Sequence, residues 1–390
     1  MSRIYLDYAA STPVDPLVEK AMRPYFGKIF GNAGALHQFG QEAAAAVFEA
    51  RNGVASAVGA SYRDIIFTGS ATEANNLALR GVVKAANIKK PRIIVSNIEH
   101  ESILETCNDL EQGGVEVVYL SVTKEGIVDV AELKNLLNNR TILVSVMYAN
   151  NEIGAIQPIA QISKIIRDFR DSNQLEPKAK IAYPLFHADA VQGIQYLDCD
   201  VKKLGVDLMT LSGHKIYGPK GIGCLYAPFV GNCYPLSPII TGGGQQNGIH
   251  SGTENVPYIV AFAKAVELTE KIREKEFKRV VALREHLWKG IKKIMPSVLL
   301  NGSSKHRLPN NLNIYFPKDS AQDLLIKLDL AGVAVSSGSA CKAHLATTSY
   351  VLKALGLPDR RCSGSLRLSL GRQTTRQEIN RVLDIFKELQ

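Results

Sequence analysis

Cysteine is scarce in this chain of 390 residues: six, at positions 107, 199, 224, 233, 341 and 362. They are scattered and form no C-x-x-C pair, which argues against a disulfide framework and against a structural zinc site, so no metal is expected. Unpaired thiols suit a reducing compartment. Long apolar runs are lacking too. The stretch 141–149 is among the longest, yet it contains Ser145 and falls far short of the ~20 residues that span a bilayer. Near the N-terminus Asp7 stands where a signal peptide would carry its apolar core. A soluble, cytoplasmic chain with no membrane partner is expected. Lys and Arg number 46 against 37 Asp and Glu, a formal net charge of +9, but the excess is dispersed in places such as Lys89-Lys90, Lys202-Lys203 and Lys292-Lys293. Without a dense basic stripe interleaved with aromatics, nucleic acid is not expected as the primary partner. No repeat of roughly 20–50 residues is visible, which excludes a solenoid.

What is present is ordinary globular usage, 46% hydrophobic and 21% charged, in a chain long enough for two or three domains. From about residue 40 to 230, short β-branched runs alternate with amphipathic stretches. Strands are predicted at 64–68, 92–96, 116–121, 141–148, 181–188, 206–211 and 223–227, and helices at 72–86, 102–112, 130–138 and 159–171. This alternation predicts an α/β fold with a mostly parallel sheet covered on both faces, where ligands sit at the carboxyl ends of strands. The charged insert 171–180 is read as a surface loop. After residue 244 the texture changes to a long helix at 257–294, a strand at 311–316, a helix at 321–330 and a strand at 333–336. A final helix opens on the capping box Thr375…Glu378, with Ile379, Val382, Leu383, Phe386 and Leu389 on one face. A second, smaller α+β domain is expected.

Seven short motifs carry chemistry. Ser212-Gly213-His214-Lys215 follows a predicted strand, and a lysine there suits a Schiff base beside an anion site, though a solvated lysine looks the same. His187-Ala188-Asp189-Ala190-Val191-Gln192 also ends a strand. Its aspartate either keeps a pyridinium nitrogen protonated or caps the next helix. Gly69-Ser70-Ala71-Thr72-Glu73 leads into a helix N-terminus, fit for a phosphate or a plain N-cap. His100 can stack on a planar ring or serve structure alone. Asn150-Asn151-Glu152 offers an amide to an oxyanion or simply makes a turn. Cys341 lies among small polar residues, accessible as a nucleophile must be, or is an incidental loop thiol. Arg367 alternates with apolar residues, placing its fork to clamp a carboxylate or to make a salt bridge.

Together with residues 5–13, 71–76, 150–154, 212–221, 251–255 and 336–341, these motifs stand in an order that resembles the cysteine desulfurases dependent on pyridoxal 5'-phosphate (PLP). These enzymes belong to the class V aminotransferase group of fold-type I enzymes. The resemblance covers nearly the whole chain. It implies a large domain at 15–255 with a mostly parallel seven-stranded sheet, and a small α+β domain from 1–14 and 256–390 that carries the cysteine loop. It further implies that Lys215 holds PLP covalently, Asp189 pairs with the ring nitrogen, Gln192 with the ring oxygen, and His100 stacks on the ring and takes part in catalysis. Thr72, Ser212 and His214 would bind the phosphate, with Thr253 arriving from the partner subunit of a homodimer. Asn151 and Arg367 would hold the carboxylate of L-cysteine. Cys341 would take the substrate sulfur as a persulfide, releasing L-alanine. The stretch 342–348 resembles the longer loop of housekeeping members, which deliver sulfur to an acceptor protein such as an iron–sulfur scaffold, or toward tRNA thiolation. The chain departs from the family at His250, where relatives usually carry arginine, and at Arg361–Ser365, where a histidine is missing.

Overall fold

A computed structural model describes residues 3–172, 182–338 and 348–389. The chain opens with strand β1 (Ile4–Tyr5) and helices α1 (Pro16–Met22) and α2 (Gln38–Ala57). It then alternates β2 (Ile65–Thr68), α3 (Ala71–Ala85), β3 (Arg92–Ser96), α4 (Glu101–Gln112), β4 (Glu116–Leu120), α5 (Val130–Leu136), β5 (Thr141–Ser145), α6 (Ile159–Ser172), β6 (Leu185–Asp189), α7 (Val201–Leu204), β7 (Leu208–Ser212) and β8 (Gly223–Tyr226). The seven strands β2 to β8 form one sheet in the order β2-β8-β7-β6-β5-β3-β4, in which β8 alone runs against its neighbours. This is the mostly parallel α/β sheet expected from the alternation. Strands buried on both faces read as near-continuous apolar runs, and in Thr141–Ser145 and Leu208–Ser212 every residue is buried, the small hydroxyl residues included.

The two faces have separate covers. On one, Ile94, Val144, Phe186 and Leu211 meet α2, α6 and the first turns of the next helix. On the other, Ile93, Val95 and Leu208 meet Leu77 and Ala78 of α3 and Ile103 of α4. Each Ile, Leu or Phe removed from water here contributes about 1.5–3 kcal/mol.

The next helix, α8 (Val256–Ile294), is 39 residues long. Its start packs against the large core through Ile259, Phe262 and Val266, while Val280, Leu283, Leu287 and Ile291 lie in a second core. That core holds β9 (Leu299–Leu300), β10 (Asn311–Tyr315), α9 (Ala321–Leu330) and β11 (Val333–Ala334), then β12 (Ser365–Ser369) and α12 (Arg376–Glu388), while α10 (Tyr350–Ala354) and α11 (Asp359–Ser363) put Val351, Leu352 and Cys362 into a smaller cluster with Ile98, Met147 and Ile153. An antiparallel sheet β12-β10-β9 forms the floor of the second core, and β1 pairs in parallel with β11. In α12 the capping box is made: Thr375 Oγ1 accepts from Glu378 N at 3.1 Å and Glu378 Oε2 from Thr375 N at 2.7 Å. Phe386 stacks on Phe316 with centroids 5.8 Å apart.

Several expectations shift at their edges. The predicted strand 181–188 begins at Leu185, because Pro184 has no N–H to give a ladder. Asp171 and Ser172, read as loop, are the last turn of α6, and 173–181 lie outside the described residues. Helices α1 and α2 were not predicted. In α2 the buried face is Ala43, Ala46, Val47, Ala50 and Val54, small residues that give a weak periodic signal. Among the described residues no helix is long and apolar enough to cross a membrane, and no group of His, Cys, Asp and Glu gathers that could hold a metal ion.

Candidate active site

The parallel strands point their carboxyl ends at one edge of the sheet, and the chemical motifs follow those ends. Asp189 is the last residue of β6, and Ser212 the last of β7, with Asp189 opposite Thr210 in the ladder. His214 and Lys215 follow in a short 3-10 turn. His100 caps α4 after β3, Thr72 lies in the first turn of α3 after β2, and Asn151 follows β5. From the second sheet, β12 brings in Arg367, which is 1% exposed. These residues line a single cavity of about 380 Å³, joined by Gln192 and by Ala9 and Ala10 of the N-terminal segment. Of the sequence-predicted site residues only two are not placed on it. Thr253 is exposed and lies off the cavity wall, and Cys341 lies outside the described residues.

Lys215 Nζ donates to the carbonyls of Ala9 and Ala10, each at 2.7 Å, and Gln192 Nε2 donates to Ala9 O at 3.0 Å. The Asp189 carboxylate is buried and accepts from Val191 N at 3.0 Å and Asn75 Nδ2 at 2.9 Å. Burial pushes the His214 imidazole down to about 4, helped by Lys215 and Lys220 nearby, so it is neutral at pH 7. Burial also lowers His100, with Asp189 pulling the other way. Arg367 donates through Nη2 to Asp7 Oδ1 at 2.6 Å and through Nη1 to Asn151 O at 3.2 Å, while its buried Nε has no partner among the described residues.

These groups fit PLP. The N-terminus of α3 is capped by Ser70 and faces the cavity beside Thr72, Ser212 and His214, a set of N–H and hydroxyl donors suited to a phosphate. Gly223 on β8 abuts this turn: a Cβ there would sit 2.7 Å from Ser70 C and 2.8 Å from Ala71 N. A buried carboxylate in the same cavity as a lysine amine is the donor set for a pyridinium ring with an aldehyde. The unpartnered Arg367 Nε suits a substrate carboxylate.

Sequence reasoning missed four groups at this site. Asp7 lies within a segment counted only as part of the resemblance. Asn75 and Ser102 sit one helical turn or less behind Thr72 and His100. Glu99 is fully buried, accepts from Ser96 Oγ at 2.5 Å and Met147 N at 2.7 Å, and burial raises it to about 8. A helical spacing of three from Thr72 to Asn75 is the one signal that could have flagged any of them.

The profile of the family described as aminotransferase class-V matches residues 4–382. The chain is 42% identical over 386 residues to the cysteine desulfurase IscS of Dictyoglomus turgidum, covering 99% of this chain and 94% of that one. It is likewise 42% identical over 386 residues to the cysteine desulfurase IscS of Methanosarcina thermophila, covering 99% and 91%. Among solved structures, a NifS-like protein superposes with a TM-score of 0.90 at 34% identity, covering 99% of each chain. DndA from Streptomyces lividans superposes with a TM-score of 0.76 at 34% identity, covering 94% of this chain and 99% of that one. With the sheet order, the cavity and these likenesses in agreement, the chain belongs to the aminotransferase class-V family.

Proposed function

We infer that the chain is a PLP-dependent cysteine desulfurase. It converts L-cysteine to L-alanine and passes the sulfur to Cys341 as a persulfide, then to acceptors serving iron–sulfur cluster assembly or tRNA thiolation. The observation that carries this reading is the convergence of Lys215, Asp189, His100 and Arg367 on one cavity from four separate strands or turns. The names of the curated relatives supply the substrate class.

When bound, PLP supplies an electron sink that makes the substrate Cα–H acidic and takes up the electron pair left as the Cβ–S bond breaks. The chain's own residues do the rest. Arg367 and Asn151 hold the substrate carboxylate, and Asp189, buried and doubly hydrogen-bonded, keeps a positive ring nitrogen in place. Lys215 Nζ takes the Cα proton and returns one to carbon, within reach because its turn is rigidly set after β7. Cys341 forms the new S–S bond. Ser336, five positions before it, exchanges two backbone hydrogen bonds with Arg367 (3.1 and 2.7 Å), which starts that segment beside the substrate clamp.

The division into a large domain at 15–255 and a small one from 1–14 and 256–390 is part of this proposal, with α8 passing between the two cores. So is a homodimer. Phe30, Leu36, Phe39 and Phe48 are 53–91% exposed near the start of the chain, an apolar set suited to a second copy, which would bring Thr253 to the partner's phosphate site. A cytoplasmic location and an iron–sulfur scaffold as acceptor complete the reading. The test is incubation of the purified chain with L-cysteine. Alanine in the medium and one added sulfur on the intact chain are expected, and neither appearing overturns it.

A further inference from the structure

We propose that Asn75 and Ser102 are positioning residues that fix the His100 imidazole as its Nε2–H tautomer and couple that choice to the Asp189 carboxylate. That His100 serves the reaction rests on the reading above; the arrangement around it stands on geometry.

The argument begins with a donor that cannot reverse. His100 caps α4, and its Nδ1 receives the backbone N–H of Ser102 at 3.1 Å. A backbone N–H only donates, so Nδ1 must be the unprotonated nitrogen, and a neutral ring carries its hydrogen on Nε2. The Ser102 hydroxyl lies 2.9 Å from the same Nδ1. Alone it could turn either way, but its direction is set from behind. Asn75, fully buried on α3, gives one amide hydrogen to Ser102 Oγ at 2.8 Å and the other to Asp189 Oδ2 at 2.9 Å. Turning that amide over would press Oδ1 against a carboxylate, so Nδ2 faces both partners. Having accepted from Asn75, the Ser102 oxygen directs its own hydrogen at His100 Nδ1. Thr106 Oγ1 holds the turn by donating to Ser102 O at 2.8 Å.

Every hydrogen in this relay therefore points one way, from Asn75 outward to Asp189 and through Ser102 to His100. Two donors on Nδ1 favour the neutral ring, in the same direction as burial. The consequence is a division of labour. At Nε2, neutral His100 has a proton to give and no lone pair to take one, so it acts on substrate as a donor, and base work falls to Lys215. Asn75 links this to the carboxylate that faces the ring nitrogen, so both ends of the ring site are set by one amide.

The test uses the purified full chain labelled with nitrogen-15 at histidine, with His100→Gln to assign the signals. The parent is expected to show His100 with bare Nδ1 and protonated Nε2. In Asn75→Ala both His100 nitrogen resonances should move, and kcat for L-cysteine should fall roughly 10-fold or more with KM little changed, the loss expected when a hydrogen bond to a charged group goes. Ser102→Ala, nearer the surface, should move the same resonances, and it carries the test if Asn75→Ala does not fold. A protonated Nδ1 in the parent overturns the proposal, as do His100 resonances unmoved in the folded variants. A parent that makes no alanine from L-cysteine defeats the functional reading instead and leaves the tautomer result standing.

Discussion

Arg367 Nη2 lies 2.6 Å from Asp7 Oδ1, although 360 positions separate them in the chain. The guanidinium is 1% exposed and the Asp7 side chain 17%. Breaking a buried pair by removing one partner leaves an uncompensated charge, at a cost of about 3–5 kcal/mol. Asp7→Ala should therefore lower unfolding free energy by about 3 kcal/mol, the low end because Asn151 O still accepts from Arg367, as read by denaturant titration. Arg367→Lys keeps the charge but loses the planar fork. It should raise KM for L-cysteine about 10-fold or more while the bound cofactor's absorbance is unchanged.

Lys215 and Cys341 should separate cleanly in kinetics. Lys215→Ala is expected to slow alanine formation roughly 100- to 10,000-fold, the range for loss of a positioned acid–base group, and to release its chromophore on dialysis. Cys341→Ser should keep the chromophore and show no added sulfur by intact-mass analysis.

Glu99 gives a pH signature. Burial raises its carboxyl from 4.5 to about 8, so at pH 7 the folded chain holds a proton that the unfolded chain has released. Stability then falls as pH rises through that window, by up to about 1.4 kcal/mol per pH unit from this group. Glu99→Gln mimics the protonated acid and keeps an oxygen for Ser96 Oγ and Met147 N. Its stability relative to the parent should rise steadily from about pH 5 to pH 8 and then level off, as measured by denaturant unfolding at a series of pH values.

Gly223→Ala should loosen the cofactor. The new methyl would sit 2.7–2.8 Å from backbone atoms of Ser70 and Ala71, forcing the capped turn of α3 away from β8. The cofactor's absorbance should wash out on dialysis faster than from the parent, while circular dichroism stays that of a folded α/β chain.

The sequence by itself determined the alternation of strands and helices, the capping box of α12 and the residue types of the site. Each of these follows from periodicity or local chemistry within a few positions. The seven strands were all found, with errors confined to ends such as Leu185, where a proline decides which residue first gives an N–H. The long helix and the α+β texture after residue 244 were legible for the same reason. Only the tertiary structure decided which of these residues meet: neighbouring strand ends set Lys215 and Asp189 on one cavity. The pairing of Asp7 with Arg367, the burial that protonates Glu99, and the relay from Asn75 to His100 lay beyond local patterns. They join residues from different elements, and their strength comes from the removal of water, which no one-dimensional spacing records.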